Sequence, residues 1–242
     1  MEYAEFEQLF HQALQKNSLQ PLAADTTAKF YCFTCFLMEI NQTTNLTAIR
    51  SIPDVIYKHL VDSLAVSSLI PSGARVLDLG CGPGFPSIPL AIARPDITVT
   101  ALDSTAKKIA FVKEAAQRTG IFNLTAYAGR AEDRALATKL GPFDVVTSRA
   151  VARLNVLCEL CIPYVKIGGK LLAMKGAKAE EELIEAQNAI QTLGGDNATL
   201  HCSQLKLADD IHEARAILEI PKARTTPKTY PRAYAMITKK PL

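Results

Sequence analysis

The stretch Asp78-Leu79-Gly80-Cys81-Gly82-Pro83-Gly84 decides the fold. An apolar run, Ala74 to Leu77, precedes it and reads as a buried parallel strand. A helical pattern from Pro86 to Arg94 follows. Strand, glycine-rich turn and helix make the first unit of a nucleotide-binding α/β domain. Glycines let the backbone bend sharply and approach a ligand, and the next helix offers free N–H groups to negative charge. The loop is not a dinucleotide fingerprint, because the third glycine of G-x-G-x-x-G falls on Phe85. It is not a phosphate loop either, because no Gly-Lys-Ser/Thr follows. Asp78 suits a ligand with a cationic amino group. The pattern Asp-x-Gly-x-Gly-x-Gly, with Gly80, Gly82 and Gly84, therefore points to S-adenosylmethionine and a Rossmann-like methyltransferase.

Outward from the loop, strands recur. Ile97 to Leu102 ends at Asp103, about 20 residues past the glycines, where a carboxylate accepts hydrogen bonds from ribose hydroxyls. Leu124 to Tyr127 leads to Ala131-Glu132-Asp133, where Glu132 either lies beside an adenine ring or interacts with a helix dipole. Phe143 to Thr147 ends in Ser148-Arg149-Ala150, which should open onto the ligand crevice. Helices are expected over 105–119, 154–165 and 178–192, and strands over 170–174, 198–207, 215–220 and 232–238. Such alternation implies a mostly parallel sheet with helices on both faces and an antiparallel hairpin at one edge. Upstream, helices over 4–16, 26–41 and 53–66 form an N-terminal extension (1–70), joined at Pro71-Ser72-Gly73 to the methyltransferase domain (71–242).

With 48% apolar and 21% charged residues, the 242-residue chain reads as an ordinary soluble globule. It has no apolar run long enough to span a membrane and no secretory signal at its start. Its six cysteines do not form a disulfide framework, so a reducing cytoplasm is expected. Between Lys222 and Lys240 lie six basic residues and no acidic ones; the other 21 basic residues face 24 acidic ones. With Tyr230 and Tyr234 interleaved, this tail suits phosphate contact and base stacking, or else serves as a solvated edge.

The Cys32/Cys35 and Cys158/Cys161 pairs read as small hydrophobes in helices rather than metal ligands, so no metal is expected. Neither the Pro-Cys of cytosine-C5 methylation nor the Asn/Asp-Pro-Pro-Tyr/Phe of amino-group methylation stands at the end of the fourth strand. Arg149 stands there instead. It can grip phosphate or the O6/N7 edge of guanine, pair with a carboxylate, or touch the cofactor. It cannot act as a base. His59 and Asp62, one helical turn apart, read first as a surface pair and second as cleft-lining residues.

Asn45-Leu46-Thr47-Ala48-Ile49, His59-Leu60-Val61-Asp62-Ser63-Leu64, Asp78 to Pro89, Ser148-Arg149-Ala150 and Lys239-Lys240-Pro241-Leu242 together resemble the glucose-inhibited division protein B family. Members are small-subunit ribosomal RNA (guanine-N7)-methyltransferases. The resemblance covers the chain from about residue 20 onward. It implies methyl transfer from S-adenosylmethionine to N7 of one guanine in small-subunit (16S) rRNA. It also implies cofactor contacts at Gly80, Phe85, Ala131, Glu132 and Arg149, with Asp103 near the ribose. Arg149 is the expected catalytic residue, and Lys228, Arg232, Lys239 and Lys240 are the expected RNA contacts. The expected partner is small-subunit rRNA or the small subunit itself, and the expected state a monomer. Residues Ala233 to Thr238 depart from the family pattern. Rival readings are a small-molecule methyltransferase on the same fold, or a non-catalytic RNA-binding assembly factor.

Overall fold

A computed structural model describes residues 1–242. Seven strands form one sheet in the order β3-β2-β1-β4-β5-β7-β6. They are β1 (Arg75–Leu79), β2 (Thr98–Asp103), β3 (Leu124–Ala128), β4 (Phe143–Arg149), β5 (Val165–Lys175), β6 (Thr199–Lys206) and β7 (His212–Pro221). The first five are parallel; β7 runs antiparallel to β5, and β6 pairs with β7 as the edge hairpin. The strand order reverses between β1 and β4. In open parallel sheets that reversal opens a crevice at the strands' carboxyl ends, and here it lies over Leu79, Asp103 and Arg149.

Helices cover both faces. On one side pack α1 (Tyr3–Lys16), α2 (Ala24–Asn41), α5 (Ser87–Ala93) and α6 (Ala106–Arg118). Phe6, Phe10 and Leu14 of α1, Phe30, Phe33 and Leu37 of α2, and Ile109 and Val112 of α6 are buried in one cluster that also takes Val76 and Val99 from the sheet. The N-terminal helices thus share the core of the α/β part. On the other face pack α7 (Arg134–Leu140), α8 (Leu154–Cys161), α9 (Ala179–Thr192) and α10 (Tyr234–Lys239).

The helix expected over 53–66 is broken. A short α3 (Ile52–Val55), N-capped by Ser51, leads into a π turn at Ile56–Val61 and then α4 (Asp62–Leu64). Helix α7 was not foreseen. The strand expected over 232–238 is instead the helix α10. Its one fully buried side chain, Ile237, docks against the α8 face, and the sheet already ends at the β6–β7 hairpin. The short apolar run Ala233 to Ile237 is compatible with a strand, but tertiary docking decides its state.

Candidate active site

The bend after β1 is glycine-built: Gly80 and Gly82 have φ of +76° and +54°. A Cβ on Gly80 would overlap the Val151 side chain. The loop's N–H groups are already spent. Gly80 and Cys81 donate to Leu102 O (2.7 and 3.1 Å), Gly84 and Phe85 to Cys81 O (both 2.9 Å), and Gly82 to Asp103 Oδ2 (2.9 Å). The first helical N–H, that of Ser87, donates to Asp78 Oδ2 at 2.8 Å. The negative charge at the start of α5 is therefore the protein's own carboxylate, and a pyrophosphate finds no cradle of open amides.

A cleft of about 500 Å³ opens above this bend, within the usual range for ligand sites. It gathers Gly80, Gly82, Phe85, Asp103, Ala131, Glu132 and Arg149 on one wall system. Asp78, beneath the loop, and Gly84, within it, lie outside the lining. Asp78 is fully buried, its Oδ1 has no protein partner, and burial pushes its carboxyl up to about 7. Asp103 is held at both oxygens, by Gly82 N and by Thr105 N (2.8 Å). Each oxygen keeps a lone pair for a diol. The Ala131 turn is fixed by the Tyr164 hydroxyl, which donates to Ala131 O at 2.9 Å. Asp133, not Glu132, caps α7, accepting from Ala135 N and Leu136 N. Glu132 takes Arg130 Nε at 2.6 Å on the rim. A buried acid below the loop, a held carboxylate beside β2 and few open amides suit a cationic nucleoside better than a diphosphate.

Arg149 ends β4 and ties the π turn to the sheet. Its Nη1 donates to Lys58 O and Asp62 Oδ2 (both 2.9 Å), and its Nη2 lies 3.1 Å from His59 Nδ1. A guanidinium only donates, so Nδ1 accepts and Nε2–H donates to Thr47 Oγ1 at 2.8 Å. His59 is neutral, because burial and the Arg149 charge hold its pKa down at about 3. Its ring stacks on Phe85, with centroids 4.3 Å apart. Asp62 Oδ1 accepts from Arg215 Nε at 2.9 Å. His59 and Asp62 are therefore not a surface pair: the π turn aims both at Arg149.

Sequence reading missed Thr47, Lys108, Arg130 and Tyr234, which also line the cleft. Thr47 sits on a loop shaped by the buried Asn41, whose side chain donates to Thr47 O and Ile49 O and accepts from Leu46 N and Thr47 N. A lone Asn at a helix end carried no such signal. In the tail, Arg232 is committed to the fully buried Glu159: its backbone N and Nε reach Oε1 at 2.8 and 2.9 Å, and Nη2 reaches Oε2 at 2.5 Å. Lys222 is buried on Ile162 O (2.8 Å). Lys228, Lys239 and Lys240 are exposed. Cys158 and Cys161 are fully buried and burial raises both thiols, the first to about 12. No three His, Cys, Asp or Glu residues are gathered to hold a metal ion.

The chain has relatives among known proteins. The family model GidB, described as rRNA small subunit methyltransferase G, matches residues 26–211. A Streptococcus pyogenes protein named ribosomal RNA small subunit methyltransferase G is 41% identical over 237 residues, covering 96% of this chain and 98% of its own. A Clostridium beijerinckii protein of the same name is 39% identical over 224 residues (91% and 92%). Among solved structures, a SAM-dependent O-methyltransferase of Thermotoga maritima shares the fold at a TM-score of 0.54 and 17% identity, covering 79% of this chain and 73% of that one. A precorrin-6y C5,15-methyltransferase of Geobacter metallireducens does so at 0.53 and 17% (67% and 88%).

Proposed function

This chain belongs to the GidB family, rRNA small subunit methyltransferase G, and from that premise we propose that it moves a methyl group from S-adenosylmethionine to N7 of one guanine in small-subunit (16S) rRNA. It is an rRNA methyltransferase with S-adenosylmethionine as cofactor. When bound, the cofactor supplies an electrophilic sulfonium methyl. The observation that carries the choice of N7 is that none of the three groups joined at the end of β4, Arg149, His59 and Asp62, is free to act as a base. Arg149 stays protonated. Both nitrogens of His59 are occupied, and its pKa lies near 3. Asp62 is shared by two arginines. An acceptor at this place must need no proton removed, and guanine N7 has a free lone pair at neutral pH. The residues then work by positioning: Asp103 takes the ribose hydroxyls, Glu132 and Ala131 border the adenine, and Phe85 with His59 forms an apolar wall.

Lys228, Lys239 and Lys240 are the proposed RNA contacts, while Arg232 anchors the tail that presents them. The protein works as a monomer in the cytoplasm, and no helix is long and apolar enough to cross a membrane. Incubation with methyl-labelled cofactor should place label in the rRNA of small subunits and not in small metabolites; label in a metabolite alone would overturn the reading.

The buried Asp78 makes cofactor binding pH-dependent. Its carboxyl titrates near 7, so above that pH it is ionised and attracts the cofactor's net positive charge. Affinity should rise as pH increases through about 7, by of the order of 1 kcal/mol or roughly fivefold. Asp78→Asn should flatten the rise in calorimetric titrations at pH 6 and 8. An unchanged rise would assign it to another group.

A further inference from the structure

A second cavity of about 580 Å³ lies on the far side of Arg149, over the carboxyl ends of β4 and β5 and the start of β7. It shares His59, Arg149, Ala150 and Val151 with the cofactor cleft. Ala150 holds a φ of +57°, a conformation that costs a non-glycine residue free energy and that marks functional turns when it persists. We propose that this cavity receives the target guanosine, flipped out of the RNA, and that Glu182 reads its Watson–Crick edge. The inference rests on the reading of the protein as a guanine-N7 methyltransferase.

Three features carry it. Donor and acceptor atoms must come within about 3–3.5 Å for transfer, and the shared wall is where two separately bound ligands meet. The cavity is large enough for a nucleotide, and enzymes that modify a base commonly extrude it into such a pocket and hydrogen-bond its pairing edge. Finally, the lining chemistry matches guanine. That edge presents two adjacent donors, N1–H and the N2 amino group, beside the O6 acceptor. Glu182 Oε2 is fixed by Leu154 N (2.8 Å) and Lys175 Nζ (2.7 Å), while Oε1 has no protein hydrogen bond. A pinned carboxylate with an adjacent ammonium offers an acceptor for the two N–H donors and a donor for O6. Adenine, cytosine and uracil lack two adjacent donors of this kind.

The rim suits the flanking backbone. Lys58 and Arg153 line the cavity and are paired only with partly exposed acids, Asp54 in one case and Glu181 and Glu185 in the other. Such pairs are weak in water and can be exchanged for phosphates.

The test is a chemical double-mutant cycle. Small subunits are reconstituted on rRNA carrying either guanosine or inosine at the methylated position; inosine lacks only the N2 amino group. Wild-type protein should prefer guanosine by about tenfold or more in kcat/KM, the loss expected when one of two hydrogen bonds to a charged carboxylate is removed. In Glu182→Gln the amide oxygen stays with Leu154 N–H and Lys175, turning an NH2 donor toward the base. That variant should lose rate on guanosine, fall to a guanosine preference within about twofold, and keep wild-type affinity for S-adenosylmethionine. The same guanosine-to-inosine ratio in both proteins would overturn the proposal. If Glu182→Gln does not fold, the wild-type ratio decides, and a value near one overturns it. A wild type that methylates neither substrate would instead refute the underlying functional reading.

Discussion

Arg149→Ala should reduce single-turnover methyl transfer by about 100-fold or more, with the far-UV circular dichroism unchanged. Misplacing positioned groups by about 1 Å can cost about 100-fold in rate. Here one guanidinium does three things: it fastens the π turn at Lys58 O to the end of β4, neutralises Asp62, and orients His59 by donating to Nδ1. Alanine leaves Asp62 with Arg215 alone and frees the His59 ring to rotate off Phe85. It also removes a charge that helps to depress the His59 pKa, so that pKa should rise from about 3 while remaining held down by burial. Arg149→Lys should recover little, because an ammonium cannot reproduce a planar fork that reaches three acceptors. Full activity in Arg149→Ala would remove the residue from the mechanism.

Arg232→Ala should produce the largest loss of stability. Its partner Glu159 is fully buried, and removing one member of a buried pair strands the other charge. Arg232 itself is partly exposed (side chain 20%), so water can reach the gap and the cost falls at the low end of the usual range, about 3 kcal/mol. For a chain of this size that lowers Tm by about 6–12 °C. The tail should also loosen. Tyr234 lines the cofactor cleft under the Arg130 guanidinium, 5.3 Å from its ring centroid, so cofactor affinity should weaken with the tail's anchorage. A thermal melt unchanged within about 2 °C would show that the pair contributes little and that α10 is held by Ile237 alone.

The two residues differ in how far the sequence revealed them. Arg149 stood out because a strand end facing the crevice is a privileged place, and because the motifs of other base methyltransferases were missing there. The parallel strands were equally legible, since continuous apolar runs and glycine punctuation follow from burial on both faces. Arg232 was misleading. Among neighbouring lysines it looked like one more phosphate contact, and nothing local to residue 232 announces a buried carboxylate at residue 159. The helical state of 232–238 is hidden for the same reason, since it depends on a docking partner distant in sequence. His59 and Asp62 were visible as a helical pair, but their purpose depends on the π turn, which rotates them off a surface stripe and has no signature in residue spacing. Asp78 is legible as an acid beside the loop, but its second task, accepting from Ser87 N at the start of α5, shows only in the fold.

Nucleotide mapping of small-subunit rRNA by mass spectrometry, in cells with and without this gene, addresses the proposed chemistry at its root. A single 7-methylguanosine should be present with the gene, absent without it, and restored by the wild-type protein but not by Arg149→Ala. An rRNA modification pattern identical in both strains, or a methyl group lost from a position other than guanine N7, would refute it.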